Sequence, residues 1–196
     1  MASPFGHTLL GIALGRVNRR ATGAAWVWWY AFAALAANLP DADFVPGLLV
    51  GDINRYHQMM SHSLTAVLVF AAGAWIASRA TPAHRQAGRL ALMSGALYGS
   101  HLVLDFFTRD RRAPFGQPLL WPFSRQAYIS PWTPFGGIRH GVPGESMGVF
   151  LGNLASWHNL SVIALEAMTL LPLVGLSWWL TRERPDARGG PRGAGD

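Results

Sequence analysis

The hydrophobic residues of this chain are gathered into five apolar stretches that permit helix. They lie at about residues 5–16, 24–38, 62–79, 87–107 and 157–181. Half-buried strands would show strict alternation of apolar and polar residues, and no convincing run of that kind separates the stretches. The pattern therefore predicts an all-α fold in which the stretches pack as a helical bundle.

Two of the stretches have the length of a membrane span. The fourth, GRLALMSGALYGSHLVLDFF, and the fifth, WHNLSVIALEAMTLLPLVGLSWWL, each contain about the 20 residues that a bilayer crossing requires. The second and third are nearer about sixteen residues, and the apolar core of a soluble protein accounts for them equally well. Aromatic residues at segment ends favour a membrane interface and so predict a membrane-embedded or membrane-associated bundle; they are Trp26, Trp28, Trp29, Tyr30, Trp178 and Trp179.

Between about residues 108 and 156 the pattern changes to a long segment rich in Pro, Gly and aromatic residues. Repeated prolines exclude a continuous helix there, and the Trp and Phe content argues against disorder. We predict that this segment packs as a cap. Residues 182–196, RERPDARGGPRGAGD, lack core-forming side chains and are predicted to form a disordered tail, which leaves residues 1–181 as a single domain.

The composition limits the chemistry of any functional site. Hydrophobic residues make up 51% of the chain and charged residues 13%, which is more apolar than an ordinary soluble domain. The formal charge of +6 comes entirely from arginine, which suits phosphate or carboxylate contacts but is also typical of a GC-rich genome. Because there are no cysteines, disulfides and thiolate metal sites are excluded, and any metal must be held by His, Asp or Glu.

Histidines and aspartates lie at the ends of the apolar stretches. His101 and Asp105 are spaced i, i+4 near the end of the fourth stretch, which puts both on one helix face. Burying such a pair in an apolar helix is costly unless a partner or a metal compensates it. The pair therefore indicates either a metal site or a hydrogen-bonded His and Asp that bridge helices.

The joint placement of these residues favours the metal. If successive stretches alternate in direction through the bundle, one end of it collects His7, Asp41, Asp43, His62, Asp105 and His158. Each has a simpler interpretation alone: the aspartates of NLPDADF suit a turn that follows a helix, and Ser61 could cap the next one. Together they predict a divalent-metal site at that end. The opposite end collects arginines, which favours the cytoplasmic side for it.

In their order these residues resemble the membrane-bound metal-dependent hydrolases, a YdjM-like family also described as LexA-binding, inner-membrane-associated hydrolases. The family pattern is a helix carrying a His, then LPDxD, HRGxTHS, SHxxxD and P-x-G-x-x-LLWP. The corresponding segments here are His7, LPDAD at 39–43, HQMMSHS at 57–63, SHLVLD at 100–105 and PFGQPLLWP at 114–122. The resemblance covers residues 5–125. One departure is that Gln58 and Met59 replace the Arg-Gly of the pattern.

The resemblance implies a metal site and a hydrolase of the inner membrane, with multi-pass topology. Its metal ligands would be Asp41, His62, His101 and Asp105, joined by His7 and His57. Imidazole and carboxylate suit zinc first, with manganese or iron as alternatives. A metal-coordinated water has a pKa near ~7 and supplies hydroxide, with Asp43 as the general base. A more distant similarity to the zinc-dependent phospholipase C and P1 nuclease group implies a phosphoester substrate, of lipid or small-molecule type.

Several further residues complete the predicted site. Arg55, Arg109 and Arg112 could bind an anionic substrate, although such arginines are often solvated. Glu166 lies inside an apolar stretch and His158 at a helix start. Either could hydrogen-bond to the metal ligands without binding the metal itself. Two interpretations compete with the hydrolase. The first is a non-catalytic metal-binding scaffold that binds a protein partner, and the second is a soluble helical protein. Membrane lipid is a further expected partner, and the sequence carries no signal of direct nucleic-acid binding.

Overall fold

The computed structural model describes residues 1–17, 25–111 and 113–182. Its α-helices are α1 (Pro4–Val17), α2 (Ala25–Asn38), α3 (Phe44–Leu49), α4 (Leu64–Arg79), α5 (Ala87–Phe106), α6 (Met147–Leu154) and α7 (Trp157–Thr181). Short 3-10 turns span Leu39–Asp43, Met60–His62 and Pro82–Gln86. Extended pairing within the described ranges is confined to two isolated bridges, Thr108–Phe135 and Gln117–Tyr128. The predicted all-α bundle is confirmed.

The five predicted stretches correspond to α1, α2, α4, α5 and α7. The largest difference is at α4, which begins at Leu64 rather than at residue 62. Ser63 sets this boundary, because its hydroxyl accepts the N–H of Ala66 at 3.1 Å and so caps the helix. Ser156 begins α7 in the same way, with a bond of 3.3 Å from the N–H of Asn159. Local capping therefore explains where α4 and α7 begin.

Helix α1 is the centre of the bundle and packs against α2, α5 and α7, while α4 packs against α5. Small residues bring α1 and α2 close together. A Cβ atom added to Gly11 would lie 2.8 Å from the carbonyl oxygen of Ala33, and one added to Gly15 would lie 3.0 Å from the Ala33 methyl. The sequence Gly11-x-x-x-Gly15 therefore forms a small-residue interface of the kind that lets helices approach closely.

The segment between α5 and α6 forms the predicted cap and is tied to the bundle by backbone hydrogen bonds. The N–H of Leu64 donates to the carbonyl of Leu119 at 2.9 Å, and the N–H of Ser130 donates to that of Phe106 at 2.9 Å. As predicted, no continuous helix spans this segment; a short helix, α6, forms at its end. The prolines stop at Pro143, and the apolar run that follows is free to become helical.

The described helices differ in how well they fit a bilayer. α7 has 25 residues and is long and apolar enough to cross a membrane, with only 17% of its most apolar window buried. The expectation that the fourth stretch would match it is not met: α5 has 20 residues, but with Arg89, His101 and Asp105 it is less apolar than α7, and half of its residues are buried inside the bundle. α4 is a shorter apolar helix. The predicted tail lies outside the described residues from 183 onward.

Candidate metal centre

Candidate ligands from three chain segments meet at the capped end of the bundle. Asp41 lies in the turn directly after α2, and His62 ends the turn directly before α4. His101 and Asp105 lie one helical turn apart near the end of α5. The imidazoles of His62 and His101 are fully buried, and Asp105 is nearly so. The alternation of helix directions thus brings together residues that are far apart in sequence.

Four atoms of this set face one another at similar distances. The Nε2 atoms of His62 and His101 are 3.2 Å apart and lie 3.5 and 3.4 Å, respectively, from Oδ1 of Asp41. Oδ2 of Asp105 lies 3.5 Å from Nε2 of His101 and 3.8 Å from Nε2 of His62. A tetrahedral zinc ion with bonds of about 2.0–2.1 Å holds its ligand atoms about 3.3–3.4 Å apart. The five distances lie around this spacing, so these four residues could hold a divalent metal between them.

Several hydrogen-bond acceptors in this cluster face one another without a donor between them. Nδ1–H of His101 donates to the carbonyl of Ala37 at 2.8 Å, so neutral His101 presents a lone pair at Nε2. Both oxygens of Asp41 and Oδ2 of Asp105 are buried and accept no hydrogen bond from the described residues. Buried acceptors of this kind are costly unless a cation balances them. A metal ion, or a proton in its absence, supplies that balance.

His7 of α1 stacks on this cluster. Its ring lies almost parallel to that of His101 with the centroids 3.6 Å apart, and its Nε2 is 3.4 Å from Oδ1 of Asp105. His7 is fully buried, and neither ring nitrogen forms a hydrogen bond with the described part of the chain. The ligand atoms of His7, His101 and Asp105 lie within 4.8 Å of one another. His7 is therefore placed to act as a further ligand.

Asp41 and His62 also form a group with His57, again within 4.8 Å. Nδ1 of His57 is the nitrogen that faces the carboxylates, at 2.8 Å from Oδ1 of Asp43 and 4.0 Å from Oδ1 of Asp41. A proton on this nitrogen serves the bond to Asp43, whereas a metal in this group would take the nitrogen lone pair. Nδ1 of His57 can therefore serve either the bond to Asp43 or a metal, but not both at once.

Asp43 does not fit the predicted role of general base. Its carboxylate accepts Nδ1–H of His57, the N–H of Gln58 at 3.0 Å and the hydroxyl of Ser61 at 2.6 Å. Burial raises the pKa of Asp43, but bonds from the neighbouring imidazoles outweigh burial and hold that pKa far below its ordinary value. A carboxylate with these donors is poorly suited to take up a proton. Its geometry instead makes Asp43 a positioning residue for His57.

The neighbouring charges divide the histidines into two protonation states. Burial lowers the pKa of His62, but contacts with Asp41 and Asp43 raise it to about 9. Burial lowers the pKa of His57 below its ordinary value, although Asp43 offsets part of the effect. Burial raises the pKa of Asp41, yet His101 and His62 bring it well below the usual range. The metal-free cluster thus contains ionised aspartates beside a protonated His62.

His140 packs against His57, although nothing in the sequence indicated a role for it. The two rings meet edge to face with centroids 5.1 Å apart, and Nδ1–H of His140 donates to Oδ1 of Asn54 at 2.8 Å. Phe44 stacks on His57 with a centroid distance of 3.9 Å. These contacts hold the His57 ring in place. No local signal marks His140, because it lies in the cap, far from His57 in the sequence.

The other predicted residues lie away from the ligand atoms. Nε2 of His158 bonds to the carbonyl of Gly137 at 2.9 Å and so ties α7 to the cap. Glu166 accepts hydrogen bonds from Ser3, which makes it a contact between α7 and the start of α1. Arg109 is exposed and lines a small cavity of 180 Å³ at the cap. Arg55 lines a second, larger cavity, and Arg112 lies outside the described residues.

A larger cavity of 670 Å³ opens beside His57 and Gln58. It is lined by two arginines, Arg55, which sequence reasoning identified, and Arg125, which it missed. The rest of the lining is mainly apolar, with Met59, Met60, Pro118 and Trp121 among its residues. This volume lies within the range of small-molecule sites, which commonly combine apolar walls with a few charged groups.

Comparison with known proteins identifies the family to which this chain belongs. The family model of the YdjM inner membrane protein matches residues 1–183. No curated protein and no solved structure gives a significant match, so the more distant similarity to the phospholipase C and P1 nuclease group finds no support. The family match includes every described helix, the cap and all the candidate ligands. The chain therefore belongs to the YdjM inner membrane protein family, as its motifs predicted.

Proposed function

We propose that this inner membrane protein is a metal-dependent hydrolase that acts on phosphoesters. The observation that carries the proposal is the cluster of buried ligand atoms from Asp41, His62, His101 and Asp105, in which neighbouring atoms lie 3.2–3.8 Å apart. Two arginines in the cavity beside His57 support an anionic substrate. Each feature alone has a structural explanation, and their adjacency favours catalysis.

The ligand chemistry points to zinc, with manganese or iron as alternatives, because imidazole and carboxylate are the donors and no thiolate exists. When bound, such a metal lowers the pKa of water toward ~7 and so supplies hydroxide near neutral pH. His101 is prepared for ligation by its Nδ1–H bond to the carbonyl of Ala37. His7 packs over His101 and keeps water from that face.

The chain's own residues would bind and orient the substrate. Arg55 is exposed in the cavity and is free to contact a phosphate oxygen. Asp43 holds the His57 ring at the cavity wall through its bond to Nδ1–H. In the hydrolysis, water oxygen bonds to phosphorus as the ester P–O bond breaks, and the proton of water ends on the leaving alcohol.

A non-catalytic metal-binding membrane protein is the second candidate function. One observation favours it: a site closed by four protein ligands is the usual form of a structural zinc site. In that case the metal would join α2, α4 and α5 at the capped end and stabilise the fold, and the cavity would serve a protein partner. This interpretation predicts metal content without turnover.

Two measurements test the proposal. Elemental analysis of the purified protein should find a divalent transition metal, and absence of metal would exclude both candidate functions. A panel of phosphate mono- and diesters should then be hydrolysed by the metal-loaded protein and not after chelation, with activity restored by zinc or manganese. A folded, metal-loaded preparation that cleaves no ester in the panel would favour the non-catalytic candidate.

We further propose that the chain crosses the membrane more than once. α4 buries Ser78 alone among its sixteen residues and leaves apolar side chains such as Leu68 and Ile76 well exposed. An apolar helix face of this extent requires lipid or a partner to cover it. The turn Pro82–Gln86 joins α4 directly to α5, so the two would enter the bilayer as a hairpin beside α7.

A further inference from the structure

The cavity beside His57 adjoins an apolar groove on the exposed side of α4. This groove, a second cavity of 370 Å³, shares Met60 and Trp121 with the first. Thr65, Ala66 and Val69 of α4 line it, and Val69 is 66% exposed. The two cavities therefore lie side by side along Met60 and Trp121, and together they extend from His57 to the surface of α4 that we place in lipid.

Charge is distributed unevenly along this path. Arg55 and Arg125 line the cavity beside His57, and neither guanidinium forms an ion pair with a carboxylate in residues 1–17, 25–111 and 113–182. No charged side chain lines the groove on α4, where every residue is apolar or carries at most a hydroxyl. One end of the path thus suits an anion, and the other suits a hydrocarbon chain.

We infer that the two cavities bind one amphiphilic phosphate ester, with its phosphate against Arg55 and Arg125 and its hydrocarbon chain across Met60 and Trp121 into the groove on α4. The inference rests on the proposed hydrolase function and names its substrate class. A free phosphate ion would use only the arginines, and a nucleotide would leave its polar base against the apolar groove. A lipid-like phosphate ester is the occupant that satisfies both ends.

The wall between the two cavities is held firmly to α4. The hydroxyl of Thr65 donates to the carbonyl of Trp121 at 2.6 Å, and the N–H of Leu64 donates to that of Leu119 at 2.9 Å. These bonds keep Trp121 beside the first turn of α4, so the path does not depend on movement of the cap.

The cap also exposes apolar side chains near the mouth of the path. Phe123 is 92% exposed and Phe115 is 57% exposed. Exposed apolar rings of this kind are suited to contact with lipid or with a partner.

The first test uses the full-length, metal-loaded protein with ethyl, hexyl and dodecyl phosphate as substrates. We expect kcat/KM to rise with chain length, by about two- to fourfold for each methylene that enters the groove. Ala66→Phe should fill the groove and remove this rise, so that the three esters become substrates of similar kcat/KM. Ala72→Phe, the same change at an exposed position of α4 outside the groove, is the matched control.

The arginines need their own control. Arg125→Gln should weaken binding of all three esters by a similar factor, because every ester carries the same phosphate. Arg85→Gln, at an exposed arginine in the turn between α4 and α5, should change nothing. Equal kcat/KM on ethyl and dodecyl phosphate, or identical behaviour of Ala66→Phe and Ala72→Phe, would overturn the inference.

A binding measurement separates this inference from the proposed function. Dodecylphosphonate, ethylphosphonate and inorganic phosphate contain no ester bond to hydrolyse, and their binding is followed by calorimetry with and without metal. If no ester is cleaved but dodecylphosphonate binds more tightly than ethylphosphonate, and Ala66→Phe abolishes the difference, the site stands and the hydrolase proposal fails. If esters are cleaved but dodecylphosphonate binds no better than inorganic phosphate, the hydrolase stands and the amphiphile site fails.

Discussion

Glu166 and Ser3 join the middle of α7 to the start of α1. The N–H of Ser3 donates to Oε1 of Glu166 at 2.9 Å, and the Ser3 hydroxyl donates to Oε2. The preceding residue, Ala2, donates its N–H to Oδ1 of Asp105 at 2.7 Å. Glu166 therefore holds the segment that contacts a candidate metal ligand, although it touches no ligand itself.

Glu166→Gln should weaken this connection, because the amide retains only one acceptor for the two donors of Ser3. We expect the free energy of unfolding to fall by about 1–3 kcal/mol. Metal affinity should fall by about 10- to 100-fold, as is usual for residues that support ligands. Thermal unfolding and elemental analysis measure the two effects. Glu145→Gln, which alters a carboxylate within the cap, is the control, and equal results for both variants would contradict the role of Glu166.

Loss of a ligand should have a larger effect on metal content. His101→Ala or Asp105→Ala removes one corner of the four-atom set, and we expect bound metal to fall to less than about a tenth of the wild-type content. His84→Ala provides the control, because His84 is exposed in the turn between α4 and α5. Wild-type metal content in both ligand variants would remove these residues from the site.

Metal affinity should increase with pH up to about 9. The pKa of His62 is raised to about 9 in the metal-free protein, and ligation requires the neutral imidazole. Below that pH, affinity should rise about tenfold per pH unit for the one proton that His62 releases. Titrations of chelator-stripped protein with zinc between neutral pH and pH 9 measure this slope. A pH-independent affinity over that interval would show that His62 is not protonated before the metal binds.

The same shift has the opposite effect on the stability of the metal-free fold. Because the folded-state pKa of His62 lies above its ordinary value of 6.5, protonation of His62 stabilises the folded state. That contribution is fully present below pH 6.5 and is lost as the pH rises through about 9. Denaturant unfolding of metal-free wild type should therefore show falling stability over this interval, and His62→Gln should not.

Asp41 and Asp43 should respond differently to conversion to Asn. Asp41→Asn removes a ligand and should abolish turnover, whereas Asp43→Asn leaves the four-atom set intact and loosens His57. We expect about 10- to 100-fold weaker metal binding for Asp43→Asn. Excess zinc should then restore activity to this variant and not to Asp41→Asn. Rescue of both, or of neither, would contradict the separate roles.

The absence of native cysteine allows the membrane topology to be mapped with single introduced thiols. Leu68→Cys on α4 should resist a membrane-impermeant maleimide in intact membranes and react after detergent solubilisation, because we place this face in lipid. Gln126→Cys, exposed on the cap, should react when its side of the membrane is accessible. Rapid labelling of Leu68→Cys in intact membranes from either side would contradict the placement of this face of α4 in lipid.

The helices themselves were readable from the sequence. Their apolar runs, serine caps and prolines act over a few residues, so the ranges predicted for α5 and α7 agree closely with those observed. The i, i+4 pair of His101 and Asp105 is local in the same sense. Alternating helix directions were then enough to predict which termini share an end of the bundle.

Roles that depend on side-chain partners could not be read in this way. Asp43 was expected to be a base, and its three hydrogen bonds, which make it a positioning residue, depend on how the segment Tyr56–His62 folds back over it. The contact of His140 with His57 and the two cavities that lie side by side along Trp121 likewise join segments distant in sequence. Residue type and spacing specify what a side chain can donate or accept, whereas long-range packing specifies which groups come within reach of it.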